Sequence, residues 1–98
     1  GGAGNFGNRV LLSNNTVQTF IQQAPSDGFV NAYAFDSNMW VYSDSNNPPT
    51  TLIAYDDLYH SGSSSNITVA IKKWDYFKVY VTGGDSKIDK IYWMPAGG

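Results

Sequence analysis

Apolar and polar residues alternate along most of this chain, and turn-forming residues interrupt the alternation at short intervals. The clearest run is Phe29 to Phe35. Phe29, Asn31, Tyr33 and Phe35 fall on one face, and Val30, Ala32 and Ala34 on the other. Neither face is plainly a solvent face, which predicts a central strand. The small side chains of the second face fit a place where an opposite sheet comes close. Ile67 to Ile71 puts Ile67, Val69 and Ile71 on one side. Tyr76 to Thr82 turns Phe77, Val79 and Val81 toward a core and Tyr76, Lys78 and Tyr80 away from it. Arg9 to Ser13, Thr16 to Gln22, Met39 to Tyr42, Thr51 to Ala54 and Lys87 to Met94 complete the predicted strands.

The interruptions have their own chemistry. Asn14-Asn15 tolerates left-handed backbone and predicts a hairpin between the first two strands. In Ala24-Pro25-Ser26-Asp27-Gly28, Pro fixes φ, Asp bonds nearby backbone and Gly supplies positive φ. Asp36-Ser37-Asn38, the polar loop Ser43 to Thr50, Lys72-Lys73-Trp74-Asp75 and the hairpin-type Gly83-Gly84-Asp85 follow. The stretch from Tyr55 to Asn66 is the longest irregular segment, the kind of loop that is often mobile and functional. Seven or eight short strands at roughly 8 to 12-residue spacing predict an all-β fold, an antiparallel β-sandwich. Residues 1–8 read as a linker or the end of a preceding shaft, and 9–98 as one sandwich domain.

Composition sharpens this picture. All eight acids are Asp, Gly numbers ten, and good helix formers are scarce. Aromatic residues make up 15% of the chain, with three Trp, seven Tyr and five Phe. Sheets favour aromatics, but Tyr and Trp also suit interfaces and ligand surfaces. The net charge is −2 and no basic stripe exists, so no nucleic-acid partner is expected. No apolar run reaches spanning length, so no membrane insertion is expected. Cysteine is absent, which excludes disulfides and thiolate chemistry. A small domain without such staples often gains stability by oligomerising.

Three landmarks carry a resemblance: Ala24 to Phe29, Ile71 to Tyr76 and Tyr92 to Gly98. In this order they are similar to the distal tip or head domains of trimeric bacteriophage tail-fibre and receptor-binding proteins. Those domains commonly show an Ala-Pro-x-Asp-Gly-aromatic turn, a later Lys-Gly-Asp type turn, and an aromatic final strand ending near Pro and Gly. The match spans residues 10 to 98, although few positions carry it. Trp74 departs from the pattern, standing where the family usually has Gly. The resemblance implies a homotrimeric β-sandwich at a virion tail fibre or extracellular fibre tip. It implies loops, chiefly 43–50 and 55–66 at one end, that recognise a bacterial surface glycan or outer-membrane receptor. A monomeric carbohydrate-binding module of a larger enzyme and a structural fibre-capping domain are the competing expectations.

No catalytic machinery is legible. His60 is the only His, and although Ser61 and Asp57 are near in sequence, no motif sets a triad geometry. Asp56-Asp57 are adjacent, and adjacent strand residues point to opposite faces, so they do not form a glycosidase pair. The oxygen-rich loops lack the spacing of a calcium-binding helix–loop–helix and read as solvated turns, so no metal and no cofactor are expected. Sugar binding fits better, because it needs aromatic faces for the ring and Asp, Asn or Ser for hydroxyls. Tyr55, Asp56, Asp57, Tyr59 and His60 supply that mixture in one loop, and Trp74 and Tyr76 in another. Packing of Tyr59 and Trp74 under their own loops, or at a subunit interface, stands beside that reading. A non-enzymatic binding domain is the expectation.

Overall fold

The alternating runs do become strands. The computed structural model describes residues 7–57 and 62–96. They form β1 (Val10–Val17), β2 (Thr19–Gln23), β3 (Gly28–Phe35), β4 (Asn38–Asp44), β5 (Leu52–Asp56), β6 (Ser64–Ile71), β7 (Tyr76–Thr82) and β8 (Ile88–Pro95). All pairings are antiparallel, and the strands make two four-stranded sheets, ordered β1-β8-β3-β6 and β2-β7-β4-β5. That order, two interleaved Greek keys over two sheets, is a jelly roll.

The core lies between the sheets and takes one face of every strong alternation. Val30, Ala32, Ala34, Ile67, Ile71, Ile88, Ile91 and Trp93 come from one sheet, and Met39, Val41, Phe77, Val79 and Val81 from the other. β3 lies between β8 and β6, so it is central as its two unsolvated faces predict. Its small Ala32 and Ala34 leave room in the same cluster for the bulky Phe77 and Met39. Trp93 stacks on Phe77 across the core at 5.8 Å between ring centroids, 4° from parallel.

Three expectations are corrected. Asn14-Asn15 does not turn a hairpin. β1 runs on through it, pairs with β8, and absorbs the extra residues in register shifts after Leu11 and Asn14. The chain then changes sheets at Gln18, whose backbone and side chain both bond Val81. Gly83-Gly84-Asp85 is likewise no hairpin, because β7 and β8 belong to different sheets. Among the described residues, only β4 and β5 are consecutive strands in one sheet. The third correction shortens the long loop: Ser64, Ser65 and Asn66 belong to β6, paired with Phe35, Ala34 and Tyr33. Buried Ser65 anchors this start of β6, its Oγ donating to the Ser37 carbonyl at 2.6 Å and the Asp56 carbonyl at 3.3 Å.

The three sequence landmarks meet at one end of the sandwich. The Ala24 amide donates to the Asp75 carbonyl at 2.8 Å, and the Trp74 amide to the Ala24 carbonyl at 2.9 Å. Asp27 binds the other two landmarks: its Oδ1 accepts the Lys73 amide at 2.8 Å and its carbonyl the Ala96 amide at 2.8 Å. Gly7 joins the same end through the Pro95 carbonyl. The landmarks therefore close the fold as one hydrogen-bonded lock.

Candidate functional site

Strand direction places each candidate residue. Asp44, at the end of β4, is opposite Tyr76, at the start of β7. The 45–51 loop and the 72–75 turn therefore share the lock end. β5 carries the chain away from that end, so Tyr55, Asp56 and Asp57 lie at the other, beside the Asp36 turn. The expectation that loops 43–50 and 55–66 stand at one end is thus overturned, because β5 separates them by its own length. Tyr59 and His60 lie outside the described residues.

At the far end, Tyr55 is 60% exposed on the edge strand. Asp56 is spent on structure: its carbonyl and its Oδ2 receive Ser65 Oγ and the Asn66 amide. Asp57 is exposed. Asp36, at φ 56°, holds this end together, exchanging hydrogen bonds with Gly62, Ser63 and Asp85. Asn38 Oδ1, at the start of β4, is buried without a hydrogen-bond partner.

At the lock end, Trp74 is 59% exposed, and its backbone is held at φ 71°. A bulky residue in that left-handed region is a genuine outlier, costing about 1–2 kcal/mol relative to ordinary backbone. The hydrogen bonds of the lock impose it: Trp74 N and O are both engaged, the latter by Gln23 Nε2 at 3.0 Å. The conformation explains why a Gly would be natural there. Lys73 Nζ stands 5.1 Å from the Trp74 ring centroid. On the other flank of the same end, Asp27, Phe29, Ala70, Lys72 and Ala96 line a shallow groove of about 440 Å³.

The neighbouring loop is folded around Asp44. Its carboxylate accepts the amides of Asn46, Thr50 and Thr51 and the Thr51 hydroxyl, at 2.8 to 3.0 Å. The Thr50 amide, followed by the Asn46 amide, holds the Asp44 carboxyl well below the usual carboxylate range. Those oxygens are occupied by donors rather than turned outward. Among the described residues no group of three His, Cys, Asp or Glu side chains converges on one point.

The two ends are joined by something the sequence left unassembled. The outward residues of the β2-β7-β4-β5 sheet form three rows across the strands. Gln23, Tyr76 and Asp44 make the row nearest Trp74; Ile21, Lys78, Tyr42 and Leu52 the middle one; Thr19, Tyr80, Trp40 and Tyr55 the last. Trp40 and Tyr80 have ring centroids 6.0 Å apart, and Lys78 Nζ lies 4.5 Å from the Tyr42 ring centroid. The alternation marks Tyr76, Lys78 and Tyr80 as outward, but the register that brings Trp40, Tyr42 and Tyr55 beside them is set by pairings between distant segments.

The fold and site define a jelly-roll domain with an aromatic outer sheet face and a strained, exposed Trp at its margin. No protein-family model, no curated protein and no solved structure matches this chain.

Proposed function

We propose that this domain is a non-catalytic recognition module that binds a cell-surface glycan and works as a homotrimer at the tip of a fibre. The observation that supports it most is Trp74. A folded chain that keeps most of a Trp side chain in solvent, on backbone that disfavours it, carries a cost that the remaining contacts of that side chain do no more than offset. Exposed aromatic faces are what sugar rings stack on. The trimer and the fibre rest on the resemblance of the three landmarks to tail-fibre tips. If residues 1–8 lead from a shaft, the chain arrives at Gly7 on the lock end, and the receptor would be met on the flank of the tip beside Trp74. A monomeric carbohydrate-binding module is the second reading, favoured by the broad aromatic face of a single protomer.

Trp74→Gly tests the proposal. Relief of the left-handed backbone and loss of side-chain contact offset each other to within about 1 kcal/mol, so the melting temperature should move by only a few degrees. Binding to host-cell glycans should fall. Unchanged binding, or a collapse of the fold, would assign Trp74 a structural role and remove the main support.

A further inference from the structure

We infer that the outer face of the β2-β7-β4-β5 sheet is a polysaccharide platform, with an extended glycan lying across the strands and its sugar faces on Tyr80, Trp40 and Tyr55. The inference rests on the glycan-recognition reading and adds to it the surface and the direction of the chain. These three residues are in one register row on adjacent strands β7, β4 and β5. With strands about 4.8 Å apart, the row spans about 10 Å, the length of a short oligosaccharide. No strand lies over this face among the described residues. Trp40 and Tyr80 are half-buried against one another, tilted by 38°, and Tyr55 is 60% exposed.

The chemistry between the rings favours a polyhydroxylated ligand. A pyranose has apolar C–H faces and a hydroxylated rim. The rings of the last row match the faces. Thr19 in the same row and Lys78 in the next offer hydrogen-bonding groups beside them, matching the rim. A second copy of the chain fits less well, because the middle of the face is the Lys78 ammonium, and Lys is depleted from the cores of protein interfaces. Charge points the same way. The chain carries net −2, yet the three rows hold one cation and one carboxylate, Asp44, whose oxygens are bonded within its own loop. The face therefore accepts both neutral and acidic glycans.

The experiment is affinity electrophoresis in native gels carrying hydroxyethylcellulose, a neutral polysaccharide, or alginate, a uronate one. The wild-type chain is compared with Tyr55→Ala, Trp40→Ala and Trp74→Gly, each also sized by light scattering. Tyr55 is exposed, so its truncation leaves the fold intact. The platform predicts retardation of the wild type by at least one polysaccharide. It predicts a loss of at least about fivefold in affinity for Tyr55→Ala and Trp40→Ala, the fold-change of a residue whose truncation costs about 1 kcal/mol. Wild-type binding by both variants alongside loss in Trp74→Gly would overturn the platform and leave the recognition reading standing. A drop in solution mass in Tyr55→Ala or Trp40→Ala would make the face a contact between copies and overturn the platform too. Absence of wild-type binding to either polysaccharide and to a broad glycan array would remove both readings.

Discussion

Asp44 accepts hydrogen bonds from three amides and a hydroxyl of its own loop, and each is stronger to the ionised carboxylate. Its folded pKa lies below the unfolded one, so its contribution to stability is fully present above about pH 4 to 5 and is lost as pH falls through the folded value. Thermal melts of the wild type and of Asp44→Asn from pH 7 to pH 2 should differ most at neutral pH and draw closer together toward the acid end. Parallel curves would show that the loop does not depend on the charge. Residue-level chemistry was legible in part. Aromatic residues at Tyr55, Trp74 and Tyr76 were recognisable as candidates, but the cost borne by Trp74 depends on a φ value that only the surrounding lock determines.

Among the elements, β3 shows how a local motif can be read correctly for the wrong reason. The Asp27-Gly28 turn invites the expectation of positive φ at Gly28, yet Gly28 is not among the left-handed residues. It is Gly because β8 passes too close. A Cβ there would sit 2.5 Å from Trp93 Cζ2 and 2.7 Å from the Met94 carbonyl oxygen. Trp93 is held by its stack on Phe77 and has little freedom to retreat. Gly28→Ala should therefore destabilise by about 1–3 kcal/mol, measured by urea denaturation, where a purely conformational role would leave it near neutral. The turns failed as guides for a related reason. Turn residues report that the chain reverses, not whether it crosses about 4.8 Å to a neighbouring strand or about 10 Å to the opposite sheet. Gly83-Gly84-Asp85 looks like a hairpin for that reason, although β7 and β8 lie in different sheets, and Asn14-Asn15 marks no reversal at all, because β1 runs through it. The strands themselves were legible, because burial on one face imposes the period of two wherever they pair.

For the whole molecule, assembly has a direct measurement. Light scattering behind a sizing column should give about three times the 10.7 kDa of one chain if the tip reading holds. A monomer at micromolar concentration would move the weight to a carbohydrate-binding module. The sandwich class was readable from strand number and spacing. The jelly-roll order was not, because it rests on pairings such as Val10 with Trp93 and Gly28 with Pro95, between segments far apart along the chain. The aromatic platform was hidden for the same cause, since its rows exist only once β5, β4, β7 and β2 are laid side by side.

The lock end also has a mechanical meaning. Gly7 and Ala96 emerge there together, and the first and last strands lie antiparallel as neighbours from that end. Tension applied between these two residues would load the β1–β8 ladder one rung at a time, peeling it open at modest force. The same load drawn through Gly7 alone, along the strands and against a ligand held on the opposite sheet, would load that ladder in shear, its rungs sharing the force. Anchored in that way, the domain could be tugged by whatever it grips without being unzipped.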